Sequence, residues 1–223
     1  MNFSFLGEYW SYFVFGTVNT VVLALFTVML GTLMGLVISL LRLNKNPLLS
    51  FPARAYINVI RGTPVLVQIF IIYYGLPINI PQTMLLGVDL SRFIPGIIAL
   101  SINSSAYVAE IIRAGIQAVD KGQMEASRSL GFNHRESMRL VILPQAVKNI
   151  LPALGNEFVV VIKESSIVSV IGISELMYNA GIVRGATYRP MEPLIIAAVI
   201  YFLLTSTISR LLGNAERRLR SSD

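Results

Sequence analysis

Cysteine is absent from this 223-residue sequence and histidine occurs once. The first absence removes disulfides, thiolate metal sites and thiol nucleophiles, and the second leaves too few ligands for a zinc centre. Charge is scarce as well. Asp, Glu, Lys and Arg make up 13% of the chain against 54% apolar residues, a balance that suits a bilayer better than water. No G-x-x-x-x-G-K-[ST] phosphate loop occurs, so any nucleotide hydrolysis belongs to another polypeptide and no cofactor is expected in this one. A membrane-embedded enzyme would need a nucleophile and base, or a metal cluster, at depth. With H-E-x-x-H also missing, that class falls away. The length suits one membrane domain, residues 1–223, without a separate catalytic domain.

What is present is a series of long apolar runs. Residues 13–41 contain no charged side chain and are long enough to cross a hydrocarbon core of roughly 30 Å with some tilt. Residues 1–12 contain no Lys or Arg, unlike the basic start of a signal peptide, so the segment is expected to be retained. Further spans are expected at 55–76, 93–112, 150–171 and 194–212, giving five transmembrane helices in an all-α integral membrane protein. Thirteen of the eighteen Lys and Arg residues fall on one alternate side, three on the other (Arg92, Arg184, Arg189), and two, Arg61 and Lys163, within spans. That bias predicts the N-terminus outside and the C-terminus in the cytoplasm. It also accounts for the net charge of +6 without a nucleic-acid partner, since the basic residues follow the spans and form no single patch.

The segment at about 120–144 has no role in a plain bundle of spans. Asp120 is placed to cap a short helix over 122–130, with Met124, Ser127 and Leu130 towards one face. Gly131 can take the left-handed conformation that ends it, Asn133 offers a second cap, and a further helix over 134–142 is expected to stop at Pro144. The pattern predicts a cytoplasmic helix-turn-helix elbow. His134, alone within it, reads as a solvated or interface residue.

Glu125, Ala126, Ser127, Gly131, Val141, Leu143 and Pro144 resemble the E-A-A, G, I-x-L-P signature of bacterial ATP-binding-cassette import permeases at full spacing. Ser127 stands for the second Ala and Val141 for the Ile. R-G-T-P at 61–64, S-S-A-Y-V-A-E-I-I-R-A-G-I at 104–116, G-N-E at 155–157 and K-E-S-S at 163–166 look like the polar amino acid uptake subfamily. The resemblance implies a type I importer permease fold. It further implies a complex with a cytoplasmic ATPase dimer that binds ATP and Mg, a second permease copy or paralogue, and an extracytoplasmic amino-acid-binding protein. It gives Glu125, Ala126, Ser127, Leu130, Gly131, Leu143 and Pro144 the role of coupling to the ATPase.

Polar residues inside spans mark the candidate substrate path. Asn58, Arg61 and Gln68 share a face of the second expected span, Asn103, Tyr107 and Glu110 a face of the third, and Glu157 and Glu164 recur on the fourth. An ionisable group facing lipid costs at least ~2.5 kcal/mol, so these stripes should face a bundle interior or watered cavity. Arg61 can receive a carboxylate and Glu157 an ammonium or guanidinium, with Asn58, Asn103 and Tyr107 adding hydrogen bonds. The two acids lean towards a cationic amino acid. The same residues also suit structural ion pairs, Lys163 with Glu157 or Glu164 and Arg113 with Glu110. Gly31-x-x-x-Gly35 permits close helix contact but is a common pattern in apolar spans. A secondary carrier or channel independent of ATP would explain the polar stripes equally well, yet gives no reason for the elbow.

Overall fold

The computed structural model describes residues 1–76, 80–85 and 87–220, the side chains of 218–220 excepted; Arg218 and Arg220 of the basic-residue count lie among those exceptions. Apolar residues unbroken by proline give α1, Leu6–Arg42. It packs along α4, Leu90–Gln117, the most enclosed long helix. A Cβ on Gly31 would lie 3.0 Å from Ser104, and one on Gly35 would lie 2.6 Å from Val108. Gly31-x-x-x-Gly35 therefore serves close packing inside the chain. In lipid there is no hydrophobic drive between helices, so such tight contacts and interhelical hydrogen bonds carry the association.

The expected single span at 55–76 is two helices. α2, Pro47–Arg61, and α3, Val65–Gly75, meet at 108°. Pro64 lacks an N–H and pushes Thr63 out of helical conformation, which breaks the ladder after Gly62. The Gln68 side chain repairs the break: its amide nitrogen lies 2.7 Å from the Ile60 carbonyl and 3.0 Å from that of Thr63. Asn58 and Arg61 thus sit on one arm of the bend and Gln68 on the other, and do not form the one-helix stripe expected of them. Beyond α3, β1 (Met84–Leu85) and β2 (Val88–Asp89) make a short antiparallel hairpin. Asp89 caps α4 by accepting from the Ser91 N–H at 3.0 Å.

After α4 come α5, Lys121–Ser129, α6, His134–Ser137, a widened π turn, Met138–Ile142, and α7, Leu143–Glu164. Pro144 does not stop the helix as the sequence suggested. It sits in the first turn of α7, where a missing N–H costs nothing, and the π turn before it opens the ladder so that the Leu143 N–H reaches back to Met138 and relieves the ring's clash with the preceding turn. The expected span at 150–171 changes pitch at Ser165, running on as 3-10 turns over Ser165–Ile171 to Gly172, which has φ +78°.

A helix the sequence reading missed, α8, spans Leu176–Thr187, and α9 spans Glu192–Arg220. The cap of α8 is Glu175, an unusual residue for that position, and it is fully buried. Its carboxylate accepts from the N–H groups of Met177 (2.8 Å) and Tyr178 (2.6 Å) and from the Tyr201 hydroxyl (2.8 Å) of α9. Among the described residues, α1, α4 and α9 are long and apolar enough to cross a membrane, and the bent α2–α3 pair makes a fourth if counted as one span. α7 has the length, at 22 residues, but carries Lys148, Glu157, Lys163 and Glu164.

Candidate functional site

The elbow is built from matched local signals. The Asp120 side chain accepts from the Gly122 N–H at 2.7 Å and opens α5 one residue ahead of expectation. At the far end, the Gly131 N–H donates to the Arg128 carbonyl and the Phe132 N–H to that of Ser127, the paired closure that needs a left-handed residue between them. Gly131 supplies it with φ +93°. Asn133 and Glu136 then form a reciprocal cap on α6: the Asn133 side chain accepts from the Arg135 and Glu136 N–H groups, while Glu136 accepts from the Asn133 N–H at 2.8 Å.

Ser127 turns inward and is buried, with Met124 partly covered beside it. Leu130, expected on that same face, instead closes α5 with 80% of its surface exposed. Glu125, Ala126, Leu143 and Pro144 are exposed too, as is His134. The inner side of the elbow is tied to α7 by Gln145, whose amide donates to Gln123 at 3.2 Å and to the Val141 carbonyl at 2.9 Å. The result is a fixed projection on which Leu130 and Phe132, either side of the Gly131 turn, and Leu140 are exposed.

The polar residues of the spans group into two settings. On the face of α4 turned to the α2–α3 bend, the Asn103 amide donates to Gln68 at 3.0 Å and is buried. One turn further, the Arg61 guanidinium lies 5.3 Å from the centre of the Tyr107 ring, a cation–π contact. Arg61 also stands 3.9 Å from the Glu110 carboxylate, which Arg42 and Arg113 engage as well. Asn58 of α2 is exposed.

The second setting is Glu157 on α7. It is buried and accepts from the Ser104 hydroxyl of α4 at 2.8 Å. Among the described residues no ion pair joins it, or Glu164, to Lys163, so the expected Lys163 pairings are not formed, whereas Arg113 with Glu110 is. No hydrogen bond or ion pair brings Glu157 to Asn58, Arg61 or Tyr107 either. Sequence reasoning missed Ser104 as the partner of Glu157 and Arg42 as a partner of Glu110. Both are contacts between distant helices, which spacing does not carry. No group of three or more His, Asp or Glu side chains among the described residues is placed to hold a metal ion.

Comparison with known proteins places this geometry. Residues 27–221 match the family described as "Binding-protein-dependent transport system inner membrane component". The arginine transport system permease protein ArtQ of Bacillus subtilis (strain 168) is 42% identical over 208 residues, 93% of this chain and 92% of that one. The probable glutamine ABC transporter permease protein GlnM of the same organism is 37% identical over 222 residues, the full length of both. Among solved structures, an amino acid ABC transporter crystallised with histidines superposes with a TM-score of 0.89 at 52% identity, covering 98% of this chain and 100% of that one. The methionine ABC transporter MetNI in an inward-facing conformation shares the fold, with a TM-score of 0.77 at 18% identity, covering 98% and 99%.

Proposed function

The chain belongs to the binding-protein-dependent transport system inner membrane components, and from that premise we propose a division of labour for its parts. It is the permease subunit of an ABC amino acid importer, a mostly helical protein of the type I importer permease fold with three or four candidate spans. A fifth span is assigned to α7 and the 3-10 turns after it, with the N-terminus outside and the C-terminus in the cytoplasm, as the basic-residue bias supports. ATP and Mg are bound by a separate cytoplasmic ATPase dimer. The permease pairs with a second copy or a paralogue and receives its cargo from an extracytoplasmic binding protein.

The observation that carries this reading is the elbow. A segment so completely capped, held to α7 on its inner side and closed by Gly131 at φ +93° with Leu130 exposed beside the turn, suits a groove on a partner. Glu125, Ala126, Ser127, Leu130, Gly131, Leu143 and Pro144 form or support that docking surface. The cargo is a polar amino acid, with Glu157 leaning it towards a cationic one. Glu157 receives the positive group and Arg61 the carboxylate, while Asn58, Asn103 and Tyr107 complete the polar lining. The arginine in the name of one relative and the histidines in one solved structure fit the lean, while the glutamine in the name of GlnM fits only a polar amino acid. An ATP-independent carrier is not favoured, since it leaves the elbow without a task. Co-expression with a tagged cassette ATPase tests the assignment: the two chains are expected to purify together from detergent, and failure to do so while both are stable would refute it.

A further inference from the structure

Glu110 lies away from the docking tip and borders the candidate substrate pocket only through Arg61, and three guanidiniums from three helices converge on it. Arg113, one turn along α4, forks onto Oε2 through Nε at 2.9 Å and Nη2 at 2.8 Å. Arg42, the last residue of α1, engages Oε1, and Arg61, the last residue of α2, stands 3.9 Å from the same atom. The carboxylate is 16% exposed, against 45% for Arg61. Its bonds are therefore shielded from screening, except on the Arg61 arm, which is long and wet.

The placement of these arms matters more than their number. Arg61 ends α2 immediately before the 108° bend into α3. Arg113 also donates to Gln117 through Nη1, and Gln117 closes α4 three residues before Asp120, the cap of α5. Glu110, Arg113 and Gln117 thus make a bonded polar run to the C-terminal end of α4, from which the elbow starts; Arg61 reaches it from the bend across 3.9 Å, and Arg42 fixes its middle to α1.

We propose that Glu110 is a positioning residue for transport: its carboxylate, shared by Arg42, Arg61 and Arg113, ties the α2–α3 bend to the root of the α5 elbow so that elbow movement reaches the bend. This rests on the permease reading and adds to it the route by which hydrolysis in the ATPase is felt between the spans. Arg61 is the arm able to yield. Its contact is the longest, its guanidinium keeps the Tyr107 ring as an alternative partner, and Arg42 and Arg113 hold Glu110 neutralised when it leaves.

The test uses the whole complex, with ATPase and binding protein, in proteoliposomes. Uptake of a radiolabelled amino acid and ATP hydrolysis are measured together across substrate concentrations. Glu110→Gln would strand three cations and risks misfolding, so two charge-preserving variants are used. Glu110→Asp shortens the carboxylate by one methylene and cannot serve all three arms; Arg113→Lys keeps the charge but loses the fork that joins Glu110 to Gln117. For both, complex yield, hydrolysis rate and half-saturating substrate concentration are expected to stay within about twofold of wild type, while amino acid moved per ATP falls at least about fivefold. A wild-type ratio in either variant would overturn the proposal. So would a parallel fall in yield, uptake and hydrolysis, which marks a structural role. Wild-type uptake that ignores ATP would instead bring down the permease reading, and the inference with it.

Discussion

Glu157 is a buried carboxylate that accepts from the Ser104 hydroxyl, and among the described residues no ion pair joins it to a cation. A carboxylate can accept more bonds than one hydroxyl supplies, which leaves it capacity for a positively charged ligand. Glu157→Gln keeps the shape and can still accept from Ser104, so the complex is expected to assemble. Uptake of a cationic amino acid should drop by the equivalent of about 1.5 to 3 kcal/mol, the worth of a charge-assisted hydrogen bond. Unchanged uptake in transport assays would remove Glu157 from the substrate path. Glu175 is the other enclosed acid: burial pushes its carboxyl up to about 7, against the opposing pull of the Met177 and Tyr178 N–H groups and the Tyr201 hydroxyl. The folded protein then binds a proton more tightly than the unfolded chain does. Its stability contribution is full below the unfolded value near 4.5 and is lost as pH rises through about 7, a change of up to about 3 kcal/mol. Thermal unfolding of the purified complex should therefore show a lower midpoint at pH 8 than at pH 5.5, and Glu175→Gln should flatten the dependence. Neither acid's partner was readable from spacing, because Ser104 and Tyr201 come from other helices; Glu157 itself stood out, being an acid in an apolar run. Glu175 did not, since Glu is a rare cap and no hydrophobic period announces a helix as short as α8.

At the scale of elements, local chemistry was legible and long-range geometry was not. Asp120, Gly131 and Asn133 each signal a cap or a turn within four residues of themselves, and each does what its type suggests. Pro64 and Pro144 show the limit. Pro144 reads as a stop and Pro64 as part of one span, but Pro64 turns the chain through 108° while Pro144 is absorbed by a π turn and the helix runs on. The difference lies in the ladder around each ring: Thr63 leaves helical conformation, whereas Met138–Ile142 widens. The elbow supplies the corresponding test. A Cβ at Gly131 would meet nothing within 4 Å, so any cost of replacement comes from the backbone angle alone. Gly131→Val should strain the turn by about 1 to 2 kcal/mol, and Gly131→Asn, which tolerates left-handed φ, by less. ATPase association measured by co-purification should fall for Val and survive for Asn. Equal, full association for both would remove the turn from the docking surface.

For the whole molecule, composition pointed to a membrane protein, and the elbow signature to an importer permease; family and relatives agree with both. What composition could not give is how the spans close on one another. Small residues at Gly31 and Gly35 let α1 and α4 touch, the α2–α3 bend lays Gln68 against Asn103, and Arg42, Arg61 and Arg113 gather on Glu110. Apart from Arg113, one turn from Glu110 on the same helix, these are contacts between residues dozens of positions apart, set by packing. We propose that this chain moves an amino acid only when a separate ATPase hydrolyses ATP. This is tested most directly by reconstituting the permease, its ATPase and its binding protein in proteoliposomes and following labelled amino acid with and without Mg-ATP on the ATPase side. Accumulation that requires ATP, the ATPase subunit and the binding protein together is the expected result. Accumulation by the permease alone, driven by an ion gradient and indifferent to ATP, would contradict the account.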